Sequence, residues 1–166
     1  MNKTDIDFAS SESGILIDDF LRKINPDIII NCSGHFAKNT EGPEPSLSVN
    51  LGSNWSIVRY YIHNIVDKPI RIVMIGSSSY TNGKKNYILY SATKAALYNL
   101  WEGAKDYFAD KFINIDLINP VRTKSKMTAD CDPNLDYLEP SDVADVIKKT
   151  VDENLNSRCI NIPFKL

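Results

Sequence analysis

Three tyrosines in this chain precede a lysine by four positions: Tyr80 and Lys84, Tyr90 and Lys94, Tyr107 and Lys111. On a helix, residues at i and i+4 share a face, so a phenol and an ammonium at that spacing can address one pocket. A phenol with an unperturbed pKa of ~10 is a poor base near neutrality. A neighbouring ammonium would favour the phenolate and lower that value. The pair could then pass a proton to or from a substrate oxygen, and a nearby serine hydroxyl would stabilise charge developing on that oxygen. The surroundings separate the three pairs. Tyr80 and Lys84 flank Asn82-Gly83, a turn signal, and Tyr107 and Lys111 close a helical pattern as solvated residues. Only Tyr90 and Lys94 lie in a helix-favouring stretch, YSATKAAL, with Ser77 thirteen residues upstream and Asn50 twenty-seven before that.

The elements that must position these residues alternate along the chain. Apolar runs at 27–31, 70–76 and 113–119, with a short one at 159–163, predict strands. The first run is nearly unbroken, the pattern of a strand buried on both faces. Helical spacing predicts helices over 11–24, 46–66 and 87–109, and a fourth from an N-cap at Ser141 to about 154. Strands separated by helices of this length imply right-handed crossovers and a parallel, doubly wound sheet. Ligands of such sheets bind beyond the carboxyl ends of the strands. Those ends read Asn31-Cys32-Ser33-Gly34, Gly76-Ser77-Ser78-Ser79 and Asn119-Pro120-Val121-Arg122-Thr123.

Composition narrows the class. With 166 residues, 43% apolar and 24% charged, the chain fits one ordinary globular domain. A net charge of -2 with scattered basic residues gives no sign of a nucleic-acid or membrane partner. The start lacks a signal-peptide core, and no apolar run approaches the roughly 20 residues of a membrane span. Three cysteines without a C-x-x-C favour reduced, buried thiols and a cytoplasmic location. With two histidines, neither in a ligand-like cluster, no metal is expected. A serine hydrolase is disfavoured because G-x-S-x-G is absent.

The ordered series Asn31, Asn50, Ser77, Tyr90, Lys94 and Pro120 resembles the short-chain dehydrogenase/reductase family. That resemblance implies a Rossmann-like α/β/α fold in three layers, NAD or NADP as cofactor, and hydride transfer between the nicotinamide and a carbonyl or alcohol substrate. It implies Tyr90 as acid/base, Lys94 as its electrostatic partner and ribose ligand, Ser77 as stabiliser of the substrate oxygen, and Asn50 as anchor of a relay water. Asp5 falls where the family places an adenine-contacting acid. Asn31, Cys32, Ser33, Gly34, Tyr90, Lys94, Pro120, Val121, Thr123 and Ser125 would face the cofactor. The family commonly forms homodimers or homotetramers through helices corresponding to 46–66 and 87–109.

The sequence also departs from the family. Its seven glycines are never closer than seven residues, so no glycine-rich loop is present to admit a pyrophosphate at a helix N-terminus. Val121 replaces the glycine of the family's P-G. Aligning Asp5 with the family places 1–166 as a single domain lacking the first two strand–helix units, an incomplete doubly wound sheet. Without them the strand at 27–31 would become an exposed apolar edge. A fragment, a partner-completed subunit and a remnant all fit this pattern. A catalytically silent binding or assembly subunit is the alternative function.

Overall fold

The computed structural model describes residues 6–10, 12–153 and 156–164. Asp5 lies outside the described residues. Four parallel strands, β1 (Ile28–Asn31), β2 (Ile70–Ile75), β3 (Ile113–Pro120) and β4 (Cys159–Ile162), form one sheet in the order β1-β2-β3-β4. The register sets Ile29 opposite Ile72, which in turn sits opposite Ile115. Helix α1 (Ser13–Ile24) precedes β1. A continuous helical run then joins β1 to β2: α2 (Glu44–Ser46), a π segment (Leu47–Gly52) and α3 (Ser53–His63). Helix α4 (Ile88–Tyr107) joins β2 to β3, and α5 (Pro140–Asp152) precedes β4.

Strand side chains alternate between faces, and the core divides accordingly. Ile72, Met74, Ile115 and Leu117 pack with Ile17 and Leu21 of α1, Ile57 and Val58 of α3, and Leu97 and Trp101 of α4. Val73 and Ile118 look the other way, toward Leu138, Ile162 and the α5 residues Val143, Val146 and Ile147. The result is the expected α/β/α layering. Between β2 and β3 a buried Arg71 donates to Asp116 at 2.5 Å, and the Arg158 backbone N–H donates to the same carboxylate at 3.0 Å. Burial pushes the Asp116 carboxyl up despite both arginines. No sequence pattern had marked this pair.

Several expectations need correction. The apolar run of β1 is not buried on both faces. Ile28 and Ile30 are 45% and 46% exposed, because they lie on the Val73 face of the sheet, where the cluster around α5 does not reach β1. Among the described residues β1 is an edge strand of the sheet. An apolar cavity of about 380 Å³ lies beside it, walled by Phe8, Phe20, Ile29 and Ile57. The fourth helix starts at Pro140, not after a Ser141 cap. Proline's fixed φ suits the first turn, and Glu139 with Asp142 forms a capping box. The second predicted helix stops at His63, leaving Ile65 fully exposed beyond it. Cys32 is exposed and Cys131 and Cys159 are half-buried, so none of the three is the buried hydrophobe expected. Among the described residues, no helix is long and apolar enough to cross a membrane, and no group of three His, Cys, Asp or Glu could hold a metal ion.

Candidate active site

The carboxyl end of β2 is fixed before any hydroxyl is placed. Gly76 donates its backbone N–H to Ile118 O at 2.7 Å. A Cβ there would fall 1.9 Å from Asn119 Oδ1, so only glycine fits. Asn119 is 1% exposed, accepts the Ser77 N–H at 3.1 Å through Oδ1, and donates from Nδ2 to Cys159 Sγ at 3.2 Å. The backbone of Ser77 is therefore pinned by β3 and, through it, by β4. Ser77 is extended (φ -170, ψ 148), and its Oγ accepts the Ser79 N–H at 3.2 Å.

Tyr90 approaches from the first turns of α4. Its hydroxyl shares a cavity with the Ser77 side chain, near enough for the serine to act on the phenol electrostatically. Phe36 packs edge-on against the Tyr90 ring with centroids 5.1 Å apart, and Tyr87 lies 6.0 Å away. Burial raises the phenol above its ordinary pKa; the Ser77 side chain lowers it by less, and Tyr87 adds to the rise. Lys94, one turn along α4, is 4% exposed and donates Nζ to Ile75 O at 2.8 Å. Its Nζ sits 5.7 Å from the Tyr90 ring centroid, and burial lowers its pKa to about 8. The expected depression of Tyr90 by Lys94 is thus not what the structure gives. The phenol is desolvated, while the lysine is itself weakened by burial and held by a backbone carbonyl.

Asn50 is fully buried in the π segment, a distortion frequent at functional sites. Its Oδ1 accepts the His35 N–H at 2.7 Å, and Nδ2 donates to His35 O at 2.9 Å and Thr93 Oγ1 at 3.0 Å. Asn50 thereby ties the loop after β1 to the residue before Lys94. Asn31 acts similarly. It donates to Ser53 Oγ and Asn54 Oδ1 at 2.9 and 3.0 Å and accepts the Ser33 hydroxyl at 2.6 Å. Asn31 is buried and Ser33 half-buried; in this loop it is Cys32 and Gly34 that are exposed.

Ser77, Tyr90 and Val121 share one cavity of about 260 Å³. Lys94 lies behind it, next to Ile75. Pro120 ends β3, and Thr123 donates its hydroxyl to Val121 O at 3.0 Å while bridging to Leu138. Ser125 does not line this cavity; it lines a neighbouring one with Tyr137 and Cys131. Sequence reasoning missed Phe36, Tyr87, Lys84, Arg122, Met127 and Phe164, which complete the walls. Position just beyond a strand end was a usable signal for Phe36 and Arg122. Nothing in the sequence marked Phe164.

Relatives agree with this geometry at the level of fold. ElxO with NADP bound superimposes with a TM-score of 0.78 at 22% identity, over 96% of this chain and 75% of that one. A 3-oxoacyl (acyl-carrier-protein) reductase from Agrobacterium tumefaciens with NADP bound gives 0.81 at 20% identity, over 94% and 70%. A 4-hydroxyisoleucine dehydrogenase complexed with NADH gives 0.75 at 20% identity, over 96% and 78%. In sequence, 51 residues are 43% identical to the bifunctional ribulose 5-phosphate reductase/CDP-ribitol pyrophosphorylase Bcs1 of Haemophilus influenzae. That match takes in 31% of this chain but 11% of the relative's length. Residues 18–136 match the short chain dehydrogenase family, and the chain belongs to that family.

Proposed function

We propose that the chain carries the proton-transfer half of an NAD(P)-dependent oxidoreductase acting on a small carbonyl or alcohol compound. The observation that carries this reading is the meeting of Tyr90 and Ser77 at one cavity, with Lys94 buried behind them. The donors present suit the cofactor's nicotinamide ribose. An ammonium has three N–H donors, and Lys94 Nζ has one acceptor among the described residues, Ile75 O. Two donors are left for ribose hydroxyls. Exposed Cys32 and Gly34, with Pro120, Val121 and Thr123, would border the rest of the nicotinamide end. The bound cofactor supplies or accepts the hydride.

The protein's own residues then have distinct tasks. Ser77 donates a hydrogen bond to the substrate oxygen as negative charge grows on it. Tyr90, kept protonated by burial, would give its proton to that oxygen during reduction, and take it back in the reverse direction. Lys94, with a pKa near 8, can return a proton toward Tyr90 near neutrality. Asn50 holds His35 and Thr93 in place, and a relay water would have the remaining lone pair of Oδ1 to bind. The pyrophosphate would need donors other than close-spaced glycines, and the open edge of β1 would accept a further strand. Self-association through the helices after β1 and β2 belongs to the same reading: Trp55 and Ile88 are exposed there.

Titration of the purified protein with NADH and NADPH, followed by fluorescence, tests the proposal. Saturable binding that weakens in Lys94→Met is expected. The lack of close-spaced glycines favours a second reading, a catalytically silent binding subunit. Absence of any saturable signal with either nucleotide would support that subunit over the enzyme.

A further inference from the structure

The cavity that holds Ser77 and Tyr90 is electrostatically one-sided. Lys84, from the turn before α4, and Arg122, just beyond β3, both line it. No aspartate or glutamate does, although the chain as a whole carries a net charge of -2. Arg122 is also distinct among the five arginines of the sequence. Arg22 pairs with Asp19, Arg59 with Asp18, Arg71 with Asp116 and Arg158 with Glu153. Among the described residues Arg122 has no carboxylate at ion-pair distance. Its guanidinium instead donates Nε to Asp136 O at 3.3 Å and stacks 5.1 Å from the Phe164 ring centroid. Stacking of this kind holds the planar fork in place without neutralising it. Lys84 likewise has no ion pair among the described residues, and its backbone is anchored by Ser91 Oγ at 3.1 Å.

Two unpaired cations from different segments, lining a cavity with two oxygen-binding hydroxyls, are complementary to an anion that arrives with the substrate. A phosphate monoester carries about -1.5 to -2 charge at neutral pH, which matches an arginine plus a lysine. Its oxygens also suit the bidentate guanidinium. A carboxylate would leave one cation uncompensated. At about 260 Å³ the space falls below the roughly 300–1,000 Å³ of drug-sized sites, so the substrate is small.

We propose that this cavity takes a small phosphorylated carbonyl compound, or the corresponding alcohol. Arg122 and Lys84 hold the phosphate while Ser77 and Tyr90 hold the reacting oxygen. The carbonyl part rests on the oxidoreductase reading above; the phosphate part rests on the charge of the cavity alone.

Inorganic phosphate is the probe that separates the two. In thermal unfolding, phosphate should raise the midpoint of the wild-type protein more than acetate does at equal ionic strength. The gain should shrink in Arg122→Gln and in Lys84→Gln but persist in Lys148→Gln, which removes a surface charge on α5. Equal protection by acetate, or full protection by phosphate in Arg122→Gln, would overturn the assignment. In turnover, Arg122→Gln should raise KM for a phosphorylated substrate about tenfold or more while kcat changes little, and should leave an unphosphorylated counterpart unaffected. Preferred turnover of the unphosphorylated compound by the wild type would also overturn it. Arg122-dependent phosphate binding in a protein that shows no hydride transfer would remove the enzyme reading and leave the phosphate site standing.

Discussion

Gly76→Ala tests whether the serine loop is built as described. A methyl group at position 76 would sit 1.9 Å from Asn119 Oδ1, 3.0 Å from its Cγ and 3.2 Å from Leu117 Cδ1. Asn119 has little freedom to move, since it is buried and held at both ends by Ser77 N–H and Cys159 Sγ. Overpacking of a filled interior costs about 1–3 kcal/mol. Pushing Asn119 aside also strips the Ser77 N–H of its acceptor, at roughly another 1–3 kcal/mol for a buried donor. A loss near 3 kcal/mol follows, or roughly 6–12 °C in the unfolding midpoint of a chain this size. Urea denaturation and calorimetry measure it directly. The double variant with Asn119→Ala supplies the sharper check, because removing the carboxamide clears the space the new methyl needs. The pair should then be less damaging than the sum of the singles by at least ~1 kcal/mol. A Gly76→Ala variant within about 0.5 kcal/mol of wild type, or strict additivity of the two changes, would refute this packing.

Further outcomes follow from other parts of the molecule. Lys94 has a folded pKa of about 8 against an ordinary 10.5, so between those values the unfolded chain binds more protons and stability rises with pH. Relative to Lys94→Met, the wild type should gain roughly 2 kcal/mol between pH 7 and 9.5; a gap in denaturation free energy that ignores pH would contradict this burial. Asn50→Ala leaves the His35 backbone and Thr93 without their partner. It should lower stability by about 1–3 kcal/mol in urea titrations, and a neutral effect would sink its positioning role. Ile30→Lys places a charge on the open edge of β1. It should change the stability of the chain by no more than about 0.5 kcal/mol and reduce sedimenting aggregate, whereas a large loss of stability would mean the edge is covered.

Much of this fold can be read along the chain, because strand and helix periods are local. The runs at 70–76 and 113–119 gave strands where expected, and Ser77, Tyr90 and Lys94 came together because strand ends and helix faces follow from those periods. Burial is different: it depends on neighbours that sequence order does not name. The isoleucines of β1 look like those of β2, yet Ile30 is exposed and Ile72 is fully buried, since Ile72 faces the helices α1, α3 and α4 while the cluster around α5 on the other face does not reach Ile30. The upward shift of Tyr90 has the same origin. Phe36 lies far from it in sequence and covers it in space. Asn119 looked like the end of a strand and turned out to hold the serine loop. Proline explains the shifted start of α5, where its preference for the first helical turn outweighed a serine cap one residue later.

The central claim is that Tyr90 and its neighbours serve hydride transfer. It is tested most directly with a reduced nicotinamide nucleotide deuterated at C4, a small phosphorylated ketone and mass spectrometry of the product. The account predicts an alcohol bearing deuterium at the former carbonyl carbon, formed by the wild type and slowed at least about 100-fold in Tyr90→Phe. Deuterium transfer at the wild-type rate in Tyr90→Phe would contradict it.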